Sequence, residues 1–94
     1  MQVRILEEQS TLFQGLAARV HLPGREGEFE VAPRHAPLLS LLKKGMIRVV
    51  SDRKPQEVPQ SFKIVAGVVR VQEDDVLILV ETDRDARPDY GALP

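Results

Sequence analysis

The chain has 94 residues, with 13 Lys and Arg against 14 Asp and Glu, a formal net charge of −1 and no cysteine. That length makes one small domain that buries about 60–65% of its unfolded surface, and the balanced charge lacks the basic excess that a nucleic-acid or anionic-membrane partner selects. With no thiols there is no disulfide framework or thiolate metal site; with no apolar run near the ~18 residues of a spanning helix and no cleavage-site pattern, a cytosolic or peripheral protein without membrane insertion is expected.

In chain order, Val3 and Ile5 open an alternation that breaks at Glu7 and Glu8, which predicts a first strand of about six residues. Gln9-Ser10-Thr11 reads as a turn. From Leu12 the alternation resumes, with Leu16, Ala18, Val20 and Leu22 on one face and Ala17, Arg19 and His21 on the other, the period of a half-buried strand. Residues 22–44 then fit neither a strand nor a helix period, because Pro23, Gly24, Gly27, Pro33 and Pro37, with Gly45 closing the stretch, interrupt both. Gly24 and Gly27 permit unusual backbone, and Pro33 and Pro37 fix φ on either side of Arg34, His35 and Ala36. The expectation is a rigid surface feature carrying Arg25, Glu26, Glu28, Arg34 and His35. Within it, the leucines at 38, 39, 41 and 42 leave a short helix and an extended crossing both open over residues 36–43.

Residues 46–50 predict a further strand with Ile47 and Val49 on one side, and residues 51–55 a polar turn. Residues 62–65 and 68–71 are two β-branched runs hinged at Ala66-Gly67. Glu73-Asp74-Asp75 turns the chain into residues 76–80, which are apolar on both faces, with Val76, Ile78 and Val80 on one and Leu77 and Leu79 on the other. One wet face would leave two leucines exposed, so a partner or the chain itself must cover them, with Val65 and Val68 adding to the patch. From Thr82 onward the composition is polar and broken by proline. Residues 1–81 are therefore expected to form the domain and residues 82–94 a loose tail, from which Tyr90 and Leu93 can fold back. Roughly six to eight short strands at about 8–12-residue spacing, with almost no helical period, imply an all-β sandwich or flattened barrel.

The search for chemistry returns exclusions. His21 and His35 have no cysteine or ligand-spaced carboxylate pair between them, so no metal site is expected. Ser40 and His35 lack the frame of an activated nucleophile. Gly24-Arg25-Glu26-Gly27-Glu28 lacks the Gly-Lys-Ser/Thr ending of a phosphate loop and sets two carboxylates where an anion would sit. The four aromatics, Phe13, Phe29, Phe62 and Tyr90, form no basic-aromatic stripe for stacking bases. No cofactor and no nucleic acid partner follow from these residues.

Phe13-Gln14-Gly15-Leu16, Gly24-x-Glu26-Gly27-Glu28-Phe29, Pro33-x-His35-Ala36-Pro37-Leu38-Leu39, Lys43-x-Gly45-Met46-Ile47-Arg48-Val49 and residues 67–80 resemble, in order and spacing, the N-terminal domain of the epsilon subunit of F-type ATP synthases. The resemblance covers about residues 2–81. It implies an all-β fold, a flattened β-sandwich of about ten short strands, at the foot of the rotor stalk between the gamma subunit and the polar loops of the membrane c-ring. By that likeness Arg25, Glu26 and Glu28 face the c-ring, and His35, Leu77 and Leu79 face gamma. The implied role is non-catalytic: a central-stalk subunit that supports coupling of proton flow to ATP synthesis, held peripherally on the cytoplasmic side of a bacterial membrane. Arg34 stands where the family has a glycine, Glu30 where a small residue is common, and Ala66 replaces the first of a Gly-Gly pair, so charge is added to the presumed contact surface. The family's C-terminal helical hairpin has no counterpart in the chain, and residues 83–87 only scramble the Asp-x-x-Arg-Ala of its nucleotide motif. Neither an inhibitory arm nor ATP binding is expected. The rival reading is a free-standing sandwich that binds a small ligand or carries out catalysis near His35.

Overall fold

The computed structural model describes residues 1–54 and 56–83. Alternation of aliphatic and polar residues builds β1 (Gln2–Glu7), where Val3 and Ile5 are fully buried and Arg4 and Leu6 point the other way. β2 (Ser10–Gly24) is 15 residues long and serves two layers: its first half runs antiparallel to β1, and its second half is flanked by β3 (Gly27–Val31) and β5 (Gly45–Ser51). The other strands are β4 (Leu38–Leu42), β6 (Gln60–Ile64), β7 (Ala66–Gln72) and β8 (Asp75–Glu81). β1 lies parallel to β8, β8 antiparallel to β7, and β7 antiparallel to β4. One layer is therefore the start of β2 with β1, β8, β7 and β4; the other is β3, the end of β2, β5 and β6.

The two layers close on one core. Val3, Ile5, Val69, Val71, Val76 and Ile78 from the first meet Val20, Leu22, Val31, Ile47, Val49 and Ile64 from the second. Each such side chain contributes roughly 1.5–3 kcal/mol on burial, and no polar side chain is buried among the described residues. The flattened β-sandwich expected from the sequence is present, with eight strands among the described residues where the resemblance implied about ten. The tail expected over residues 82–94 lies, from residue 84 onward, outside the described residues.

Several local expectations are corrected. In β2, Ala17 is fully buried while Leu16 is 54% exposed, the reverse of the faces read from alternation. A bulge is the cause: Ala17 pairs with Ser51 and Arg19 with Val50, so Ala18 is an extra residue and the period slips by one. The irregular stretch of residues 22–44 contains β3 and β4, and its leucine run is extended because residues 38–42 pair in register with β7. The first turn is Glu8-Gln9 alone, since Ser10 already pairs with Glu7. The bend between β6 and β7 falls at Val65, whose amide donates to the Glu81 carbonyl at 2.8 Å. Gly67 sits inside β7, where a Cβ would come within 2.9 Å of the Leu79 carbonyl oxygen, so close strand approach is its reason.

Candidate functional site

The residues singled out by sequence fall on three surface features. The first is the hairpin tip between β2 and β3. Gly24 pairs with Gly27, Arg25 and Glu26 fill the two-residue turn, and Gly27 takes a φ of 137°. Backbone bonds hold this tip to the end of β4: Arg25 N donates to the Leu41 carbonyl at 3.1 Å and Lys43 N to the Pro23 carbonyl at 2.8 Å. Arg25, Glu26 and Glu28 are all exposed and make no ion pair among the described residues. Such a tip offers charge to a polar partner at little stability cost. Among the described residues no group of three or more His, Asp or Glu side chains is placed to hold a metal ion.

The second feature is the loop of residues 32–37. His35 N donates to the Ala32 carbonyl at 3.1 Å, and Arg34 N donates to Asp74 Oδ1 at 2.7 Å, which pins the loop to the turn between β7 and β8. Arg34 adopts a φ of 67°, the left-handed region that favours glycine, which accounts physically for the glycine that the resemblance leads one to expect there. His35 is half-buried, and its Nδ1 donates to the Ala36 carbonyl at 2.7 Å. Ser40 Oγ donates to the Leu41 carbonyl at 3.4 Å, so serine and histidine both engage local backbone and form no nucleophile–base pair. Two surface depressions of about 280 and 320 Å³ lie elsewhere, one by Phe13, Leu16 and Val58, the other by Lys44, Met46 and Lys63; His35 lines neither.

The third feature is the outer face of the first layer. Register places Leu6 beside Leu79, Leu79 beside Val68 and Val68 beside Leu41, one apolar row across β1, β8, β7 and β4. The next row reads Arg4, Leu77, Arg70, Leu39. Leu39 is 73% exposed, Leu41 51% and Leu79 45%, so several large apolar side chains share one open face. Leu77 and Leu79 belong to it as the sequence indicated. Leu39 and Leu41 are not legible in the sequence because residues 38–42 have outward positions only once β7 makes that run a strand, and Leu6 joins the face only through its pairing with Leu79 across the parallel seam of β1 and β8.

The structure thus brings Arg25, Glu26 and Glu28 together, and Leu77 and Leu79 together, in two separate places. His35 stands apart from the tip: its loop precedes β4, whereas the tip is bonded to the end of β4. The second layer presents charge outward, where Arg19 Nε donates to Glu30 Oε2 at 2.9 Å and His21 Nε2 lies 3.8 Å from the same oxygen. Glu30, read from sequence as charge added to a contact surface, is paired within its own layer.

Comparison with known proteins adds the context for these surfaces. Residues 1–84 match the family model for the ATP synthase delta/epsilon chain, β-sandwich domain. The chain is 44% identical over 82 residues to ATP synthase epsilon chain 1 of Methylococcus capsulatus, covering 87% of this chain and 56% of that protein. It is 41% identical over 81 residues to the ATP synthase epsilon chain of a Nitratiruptor species, covering 86% of this chain and 60% of that one. The chain therefore spans little more than half the length of these curated relatives. In fold it is similar, at 18% identity and a TM-score of 0.71, to a chain in the central stalk and c-ring structure of Tetrahymena thermophila mitochondrial ATP synthase, over 94% of this chain and 70% of that one. A chain of Euglena gracilis mitochondrial ATP synthase is similar at 19% identity and a TM-score of 0.74, over 83% of this chain and 48% of that one.

Proposed function

Because the chain belongs to the ATP synthase delta/epsilon family, as its β-sandwich domain, we propose that it is a non-catalytic rotor subunit in the central stalk, joining the gamma subunit to the membrane c-ring. The observation that carries this reading is the open leucine face of the first layer, where Leu39, Leu41 and Leu79 are exposed together on one side of the sandwich. In this reading gamma covers Leu77, Leu79 and their neighbours and reaches His35, while Arg25, Glu26 and Glu28 at the hairpin tip meet the polar loops of the c-ring. The tip suits that role because its charges are unpaired among the described residues and its backbone is fixed to β4. The subunit's contribution to coupling is mechanical: a close-packed core deforms little, so torque passes through it rather than being absorbed. Residues 1–81 act as the working domain, peripheral to the membrane on the cytoplasmic side of a bacterial cell.

The deciding experiment is affinity purification of the tagged chain from detergent-solubilised membranes of its own cells, with the associated subunits identified by mass spectrometry. Gamma and c subunits are the expected companions. A soluble monomer recovered without either would overturn the proposal.

A further inference from the structure

The apolar face is not purely apolar. Asp75 lies at one end of it, with Arg4 Nη2 at 3.0 Å from Asp75 Oδ2 and Arg70 Nη2 at 3.9 Å from the same oxygen. Among the described residues, one carboxylate therefore serves two guanidiniums, and Arg4 holds it more closely. Leu77 is the cross-strand neighbour of both arginines, Arg4 on the β1 side and Arg70 on the β7 side, and Arg70 is in turn beside Leu39. Adjacent strands lie about 4.8 Å apart, so a partner that covers Leu77 and Leu39 also covers the guanidinium region between them. Arg70 is half exposed in this chain, with a side-chain exposure of 50%. Covering it removes water from a cation that, among the described residues, shares Asp75 with Arg4 at the longer distance, and an incompletely compensated buried charge opposes binding strongly.

We propose that the partner segment docking on this face carries a carboxylate opposite Arg70, among apolar residues that meet Leu39, Leu77 and Leu79. The inference rests on the reading that gamma covers this face, and it adds the chemistry of the covering segment: an apolar stretch interrupted by Asp or Glu. Arginine suits the task because its planar fork can bind Asp75 and a second carboxylate with different N–H groups. Arg70 then determines specificity as well as affinity, since a segment with Lys or Arg at that place would be repelled.

The test measures binding of purified gamma to the full chain by calorimetry, comparing Arg70→Met, Arg70→Lys and Leu79→Asp variants whose folding is checked by circular dichroism. Met keeps the apolar reach of the arginine stem while removing its charge. If gamma brings a carboxylate, Arg70→Met weakens binding by about 30-fold or more, as loss of one buried charge pair does, and Arg70→Lys recovers part of the loss. If gamma brings none, Arg70→Met binds equally or more tightly, because a desolvation penalty has gone, and the proposal is overturned while the face remains the docking site. Leu79→Asp separates the two levels: unchanged binding of that variant would show that gamma does not use this face at all, and both readings would fall.

Discussion

Replacing Arg34 by glycine is expected to stabilise the domain. At a φ of 67° an ordinary L-residue sits in the left-handed region, which costs roughly 1–2 kcal/mol relative to glycine. Glycine loses more chain freedom on folding, an opposing effect of about 0.5–1 kcal/mol. Taking the middle of each range leaves a net gain of about 0.75 kcal/mol, or a rise in Tm of roughly 3–6 °C for a domain of this size. The hydrogen bond from Arg34 N to Asp74 uses the backbone amide, so it survives the substitution and does not confuse the comparison. Arg34→Ala is the control: it removes the same charged side chain but keeps the Cβ, and should not gain stability. Both variants and the parent would be melted by scanning calorimetry at matched salt. A glycine variant that melts at or below the alanine variant would refute the argument, because backbone strain would then not be what the position stores.

Other substitutions probe the remaining features. Gly24→Ala should destabilise the domain by roughly 1–3 kcal/mol in urea titration, since the added Cβ would lie 2.6 Å from the Gly27 carbonyl oxygen and 2.8 Å from the Phe29 ring. Glu28→Lys should leave the melting temperature almost unchanged, as an exposed charge contributes about 0–1 kcal/mol, yet weaken retention on detergent-solubilised c-rings; unfolding would make Glu28 structural instead. His35→Ala should lower affinity for gamma in calorimetry, whereas unchanged affinity with a lower melting temperature would assign the imidazole to the loop alone.

What the sequence made legible was local. β1, β5 and β8 each carry their alternation within one run, and the Glu73-Asp74 turn announced itself by composition, both residues taking positive φ (51° and 61°) between paired Gln72 and Asp75. The failures share a non-local cause. The bulge at Ala18 exists because β5 pairs with β2 on either side of it, so nothing in residues 16–20 alone reveals the slip. Residues 38–42 become a strand through partners near residue 70. The Arg4, Arg70 and Asp75 group on the leucine face is assembled from three strands and has no signature in any one of them. β3 is the exception, because Glu28, Phe29, Glu30 and Val31 do alternate; the surrounding glycines and prolines drew attention away from a strand of only 5 residues.

The parallel seam between β1 and β8 also dictates how the chain must come into being. Arg4 and Asp75, which meet across it, are 71 positions apart, so during synthesis at about 5–20 residues per second the first strand waits roughly 4–14 s for its neighbour. Through that interval β1 has, among the described residues, only the hairpin with β2, and a lone hairpin is marginal in water. Val3 and Ile5, fully buried at the end, spend the wait beside an open edge in a crowded cell. Glu7 and Glu8 follow directly, and a charged pair flanking an apolar strand is the usual guard against premature association with other chains. The same two residues that ended the alternation in the sequence thus set charge beside β1 for as long as β8 has yet to reach it.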